Sequence, residues 1–258
     1  MIERLVVAGG RVLTLGGWDE RDVVVERGRI VSASGRARPS EANRLDASGL
    51  LVVPGFVDVQ INGAFGNDFT ADPGSIWRVG ARLPASGVTA FLPTLVSPRA
   101  GEVEAAIDVL AAGPPSGYAG AAPLGLHCEG PMLSPRRRGV HRASRLRAPS
   151  AAVIRGWSRD RGIALVTLAP ELRGASAVTR TLLRRGVIVA AGHSDATYEQ
   201  ATRAFARGIG AGTHLFNAMS GLHHRSPGLA GALLAAGDVP AGLIADGIHV
   251  HAAAVELA

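Results

Sequence analysis

The chain has 258 residues, 47% of them hydrophobic and 19% charged, with 34 glycines, a balance that excludes a disordered polymer and suits one α/β barrel or two smaller domains. All 27 basic residues are arginine, and the net charge of +6 suits an anionic ligand, although a solvated arginine-rich surface would produce it equally well. A single cysteine, Cys128, excludes an intrachain disulfide framework, and neither an export signal nor a membrane-spanning apolar run is present, so a soluble cytoplasmic protein is expected.

In chain order, residues 4 to 33 read as short strands, Leu5-Val6-Val7, Arg11 to Leu15, Val23-Val24-Val25 and Arg29-Ile30-Val31. Turns at Gly9-Gly10, Gly16-Gly17 and Arg27-Gly28 separate them, which predicts a small antiparallel sheet. Residues 34 to 48, rich in Ser, Ala, Arg and Pro, read as a connection, so residues 1–49 are expected to form a small β domain. From Leu50 the pattern changes to apolar strand, loop and helix in repetition. Strands end near Asp58, Pro93, Glu129, Pro170, His193, His214 and Asp246, with helices near 75–86, 99–112, 149–161, 175–186, 197–208 and 228–237. Strands as continuously apolar as Ile163 to Leu168 indicate a parallel sheet covered on both faces. Residues 50–258 are therefore expected to form a (β/α)8 TIM-like barrel of the α/β class, with about seven strands present. A doubly wound open sheet is the alternative, but no Gly-x-Gly-x-x-Gly follows an early strand. The sequence stops in what reads as the start of a helix, which suggests a fragment or truncated gene with the eighth strand beyond Ala258.

The chemistry-bearing residues cluster at strand ends. Leu126-His127-Cys128-Glu129-Gly130-Pro131 closes one apolar run on a carboxylate, His193 closes Val187 to Gly192, and His214 closes Gly210 to Thr213. One carboxylate and two imidazoles form the ligand set of a catalytic zinc site with a position left for water. Any one of these histidines alone would be as easily explained as a hydrogen-bonded core residue; the weight lies in the set. The run Arg136-Arg137-Arg138 has no interleaved aromatics, so a solvated loop is favoured over nucleic-acid binding. Cys128 reads as a small buried strand residue, and His223 and His224 as polar loop surface.

Five stretches together resemble the N-acetylglucosamine-6-phosphate deacetylases of the amidohydrolase superfamily: Pro54 to Gly63, His127 to His141, Ala191 to Ser194, Thr213 to Met219, and Ala245 to His249. The resemblance covers almost the whole chain. It implies one divalent metal ion per chain, zinc being the expected one, held by Glu129, His193 and His214. The His-x-His pair common elsewhere in the superfamily is replaced by Gln60-Ile61-Asn62, and no lysine is available for carbamylation. It further implies that His141 contacts the substrate and stabilises charge on the acyl oxygen, that Asn217 and Ala218 bind the sugar, and that Arg225 and His249 bind the phosphate. Ser226 departs from the glutamate common in relatives. The acid/base aspartate of the family falls beyond Ala258, so Asp58 and Asp246 are expected to orient loops and Asp195 to cap the helix after Ser194. The implied function is hydrolysis of N-acetylglucosamine 6-phosphate to glucosamine 6-phosphate and acetate by water activated at the metal, in amino-sugar metabolism. The implied partner is a small sugar phosphate, with no nucleic acid or membrane, and the full-length assembly a homodimer. The alternatives are an amidohydrolase acting on a cyclic amide or nucleobase, and a non-catalytic relative that binds metal or sugar phosphate.

Overall fold

A computed structural model describes residues 3–33 and 43–258, which fall into two compact units, Met1–Gly55 and Phe56–Ala258. In the first unit β1 (Arg4–Ala8), β4 (Val23–Glu26), β5 (Arg29–Ser32) and β6 (Arg44–Asp46) form one sheet in the order β5-β4-β1-β6. A second sheet, in the order β3-β2-β7, is built from β2 (Arg11–Thr14), β3 (Gly17–Glu20) and β7 (Leu51–Val52). The hairpins follow the predicted turns: Arg27 and Gly28, at φ 49° and 76°, link β4 to β5 in the left-handed region that such a tight link requires. Two differences from expectation appear. The described residues of this unit form two sheets, with parallel pairings β1 to β6 and β2 to β7. Part of the expected connection is strand, because Arg44, Leu45 and Asp46 lie beside Val6, Val7 and Ala8; its residues 34–42 lie outside the described residues.

In the second unit six parallel positions curl into one sheet, β8 (Phe56–Ile61), β9 (Val88–Val96), β11 (Leu126–Glu129), β12 (Ile163–Leu168), β13 (Ile188–Ala191) and β14 (Ala211–Gly212), with the short β10 (Ala122–Pro123) also paired to β9. The strand expected near Asp246 is represented by one parallel bridge, Gly212 to Ala241. Helices α1 (Ser75–Gly80), α2 (Ala100–Ala111), α3 (Ala175–Arg184), α4 (Tyr198–Phe205) and α5 (Gly228–Ala235) supply the outer layer, and α6 (Ala252–Leu257) follows. Ile76, Val103, Val178, Ala201 and Leu229 from those helices pack with Phe91, Leu126, Cys128, Val166 and Val189 of the strands in one large core. On the inner side Leu92, Ala164, Leu165 and Ala190 form a smaller cluster. This is the parallel-strand architecture of a TIM-like barrel, with the strands' C-terminal ends gathered at one edge.

No α-helix forms over 149–161, where the helical part is a 3₁₀ turn at Arg159–Arg161. Residues 150–157 make only successive i to i+3 turns, Gly156 sits at φ 73°, and the Arg185 guanidinium takes the carbonyls of Ile154 and Trp157 that a helix would have used itself.

Candidate metal centre

Glu129 is the last residue of β11, while His193 and His214 lie two residues beyond β13 and β14, so the parallel sheet delivers all three to one edge. Both histidines sit in the left-handed region, at φ 48° and 36°, a conformation uncommon for a side chain other than glycine and concentrated at functional sites. The turn it produces directs both imidazoles at Glu129. His193 Nε2 and His214 Nε2 are each 3.1 Å from Glu129 Oε1 and 3.0 Å from each other, and all three residues are buried.

The protons show what this trio is suited to. His193 Nδ1 lies 2.9 Å from the Arg137 carbonyl, which only accepts, so the ring's hydrogen is on Nδ1 and Nε2 presents a lone pair. That lone pair faces a carboxylate oxygen, a repulsive contact unless a cation lies between them. A tetrahedral ion with bonds of about 2.0–2.1 Å would hold such atoms roughly 3.3 Å apart, close to the spacing found. Burial alone would push the Glu129 carboxyl up, but hydrogen bonding, from His141 first, outweighs it and holds it well below the usual carboxylate range. The donor set, two imidazoles and an ionised carboxylate, therefore fits a divalent cation.

Surrounding groups fix the trio. Gln60 Nε2 donates to Glu129 Oε1 at 2.6 Å, a role that spacing alone did not disclose: the amide acts on the carboxylate as a donor. Arg136 and Arg137 both pair with Asp195, at 3.3 and 2.8 Å, which holds the loop whose Arg137 carbonyl orients His193. Asp195 is thus a clamp and not the expected helix cap; Thr197 caps α4 in a reciprocal box with Gln200. Asp58 and Asp246 bind the local backbone, Asp58 accepting from Gln60 N–H and Asp246 from Ile248 and His249 N–H.

His141 is buried, its Nε2 3.5 Å from Glu129 Oε2 and its ring edge-on to that of His193 at 4.4 Å. The ligands open on a cavity of about 960 Å³, within the range of small-molecule sites, whose lining includes His141, Asn217, Ala218 and His249. His249 is exposed and pairs through Nδ1 with Asp246 at 2.7 Å. Arg225 is also exposed, in the loop before α5, and does not line this cavity; His223 and His224 stack beside it, ring centroids 4.2 Å apart. No helix among the described residues is long and apolar enough to cross a membrane.

The sequence profile of the Amidohydrolase family matches residues 51–258, which includes every residue of this centre. The chain belongs to the amidohydrolase family. Within that family it is similar to N-acetylglucosamine-6-phosphate deacetylases. The human enzyme is 40% identical over 99% of this chain and 62% of its own length, and that of Lysinibacillus sphaericus is 34% identical over 98% and 67%. This amidohydrolase thus spans roughly three fifths to two thirds of the curated relatives it matches. Among solved structures, the Pasteurella multocida deacetylase superposes with a TM-score of 0.88 at 30% identity, covering 98% of this chain and 68% of its own. A mutant of the Mycobacterium smegmatis deacetylase, solved in complex with N-acetyl-D-glucosamine-6-phosphate, gives 0.82 at 33% identity, covering 96% and 65%.

Proposed function

We propose that this amidohydrolase deacetylates N-acetylglucosamine 6-phosphate, releasing glucosamine 6-phosphate and acetate. The observation that carries the reading is the convergence of Glu129 Oε1, His193 Nε2 and His214 Nε2, two imidazoles and an ionised carboxylate with no proton between the first two, at the mouth of a cavity with room for a small molecule. These three residues would hold one divalent ion, zinc by the softness and number of its ligands, and an ion of that kind lowers the pKa of water and polarises an amide carbonyl. Gln60 keeps the Glu129 carboxylate turned toward the two histidines. His141, beside Glu129 and buried, is placed to donate Nε2–H to the acyl oxygen as it gains negative charge. Asn217 and Ala218 line the same cavity and would meet the sugar hydroxyls, while His249 at its rim and Arg225 on the loop before α5 would meet the phosphate. A cytoplasmic homodimer completes the reading.

The test is amine release from N-acetylglucosamine 6-phosphate by the complete gene product, set against the unphosphorylated sugar. Arg225→Ala should lower kcat/KM on the phosphorylated sugar by roughly ten- to a hundred-fold, the size of a lost charge-assisted contact, and leave the other substrate nearly unchanged. Equal losses on both would remove Arg225 from the phosphate site, and no release by the unaltered protein would sink the reaction itself.

A further inference from the structure

His141 makes one hydrogen bond through its ring, Nδ1 to the Ser97 hydroxyl at 2.7 Å, and its buried Nε2 has none. A neutral imidazole carries its hydrogen on one nitrogen only, and the surroundings decide which. Nε2 faces Glu129 Oε2 at 3.5 Å. A lone pair there would confront a carboxylate oxygen, whereas an N–H would be attracted to it. The hydrogen therefore belongs on Nε2, Nδ1 must accept, and Ser97 Oγ–H is the donor that meets it.

We infer that Ser97 is the positioning residue of this centre, its hydroxyl donating to Nδ1 and holding the His141 ring in the orientation that presents Nε2–H to the cavity. The local backbone is arranged to put the hydroxyl there. Ser97 follows β9 at φ 42°, where glycine would sit with less strain, yet it carries a side chain that is 1% exposed. Its N–H donates to the Glu129 carbonyl at 2.8 Å, which ties the hydroxyl's location to the strand that carries the carboxylate. Gly130 opposite leaves the necessary room: a Cβ on it would come within 3.0 Å of Ser97 Oγ. The His141 backbone is fixed separately, its N–H donating to the Arg138 carbonyl and its own carbonyl accepting from the Arg138 guanidinium, both at 3.0 Å. With both backbones held, the hydroxyl sets the orientation of the ring, while Glu129 draws its hydrogen to Nε2. The inference deepens the proposed function, since Nε2–H is the donor that reading assigns to the acyl oxygen.

Ring nitrogens of histidine-labelled, zinc-loaded gene product separate the tautomers by their ¹⁵N shifts and ring-proton couplings, with His141→Asn identifying the signals. The unaltered protein should show His141 with Nε2 protonated and Nδ1 bare. Ser97→Ala and Ser97→Gly, the second also suited to φ 42°, should both move the Nδ1 signal away from that of a hydrogen-bonded nitrogen, and Ser97→Thr should keep the original signal. A ring protonated on Nδ1 or on both nitrogens in the unaltered protein overturns the inference, as does an unchanged Nδ1 signal in the two variants without a hydroxyl. Deacetylation is read separately: kcat should fall by about a hundred-fold in Ser97→Ala, with KM within about two-fold, because the donor would act chiefly on charge that develops in the transition state. Should no deacetylation occur at all, the proposed reaction fails while the Nδ1 signal still decides the role of Ser97.

Discussion

His127 and Cys128, adjacent on β11, point to opposite faces of the sheet and have opposite chemical surroundings. Cys128 belongs to the apolar core against the helices, where burial pushes its thiol up and leaves no thiolate at neutral pH. Thiol reagents should therefore leave the folded protein unlabelled and react at one site on denaturation; rapid labelling under native conditions would contradict this placement. His127 points inward, Nε2 2.7 Å from Thr167 Oγ1, which is itself 2.7 Å from Thr213 Oγ1, with Nδ1 3.3 Å from Thr94 Oγ1. Burial brings its pKa down to about 4, so the ring is neutral at neutral pH and acts as a spacer with two hydrogen-bonding ends. His127→Ala would take one partner from each of the Thr167 and Thr94 hydroxyls, which keep Thr213 Oγ1 and the Leu92 carbonyl, and open a cavity, at a cost of about 2–4 kcal/mol. Urea unfolding measures it, and a loss below about 0.5 kcal/mol would mean that water or repacking replaces the ring.

Among the elements, the loop 134–141 does most to shape the centre: it supplies the carbonyl that orients His193 and carries His141. Its attachment runs through Asp195, a quarter exposed, which both guanidiniums grip. Asp195→Ala should free the loop, and because trypsin cuts after arginine, cleavage within Arg136-Arg137-Arg138 should become several-fold faster than in the unaltered protein while cuts elsewhere stay unchanged. Equal rates at this loop would show that the backbone bonds of 134–141 suffice. The strand ends were legible in the sequence because an apolar run stopping at Glu or His followed by a loop residue is a local signal. The hydrogen bonds that pin the loop were not, since Arg137 and Asp195 are 58 residues apart and an arginine run looks the same whether it is solvated or clamped. The absent α-helix at 149–161 has a similar cause, its carbonyls being claimed by Arg185 from the end of α3. Ser97 gave no signal, because a serine after a strand is ordinary until its φ and its partner are known.

For the molecule as a whole, the ligand set joins distant parts of the barrel: His193 and His214 lie 64 and 85 residues beyond Glu129, on strands separated from β11 by β12. An ion bound by all three would replace lone-pair repulsion with attraction and brace β11 against β13 and β14 at once. Binding to the folded state alone stabilises it by RT ln(1 + [L]/Kd), about 2.7 kcal/mol when the free ion stands at a hundred times its Kd. Chelation should therefore lower the melting temperature and re-addition restore it, while Glu129→Ala combined with His193→Ala should abolish that response. The expected stoichiometry is one. The His-x-His pair and the carbamylated lysine with which many amidohydrolases hold a bridged pair are absent from this sequence, which contains no lysine, and the amide of Gln60 is committed as a donor to Glu129. Elemental analysis of the purified protein checks the count directly. Two tightly held ions per chain would show that a second ligand set exists outside Glu129, His193 and His214, and a melting temperature indifferent to chelator would show that these three residues hold together without a cation.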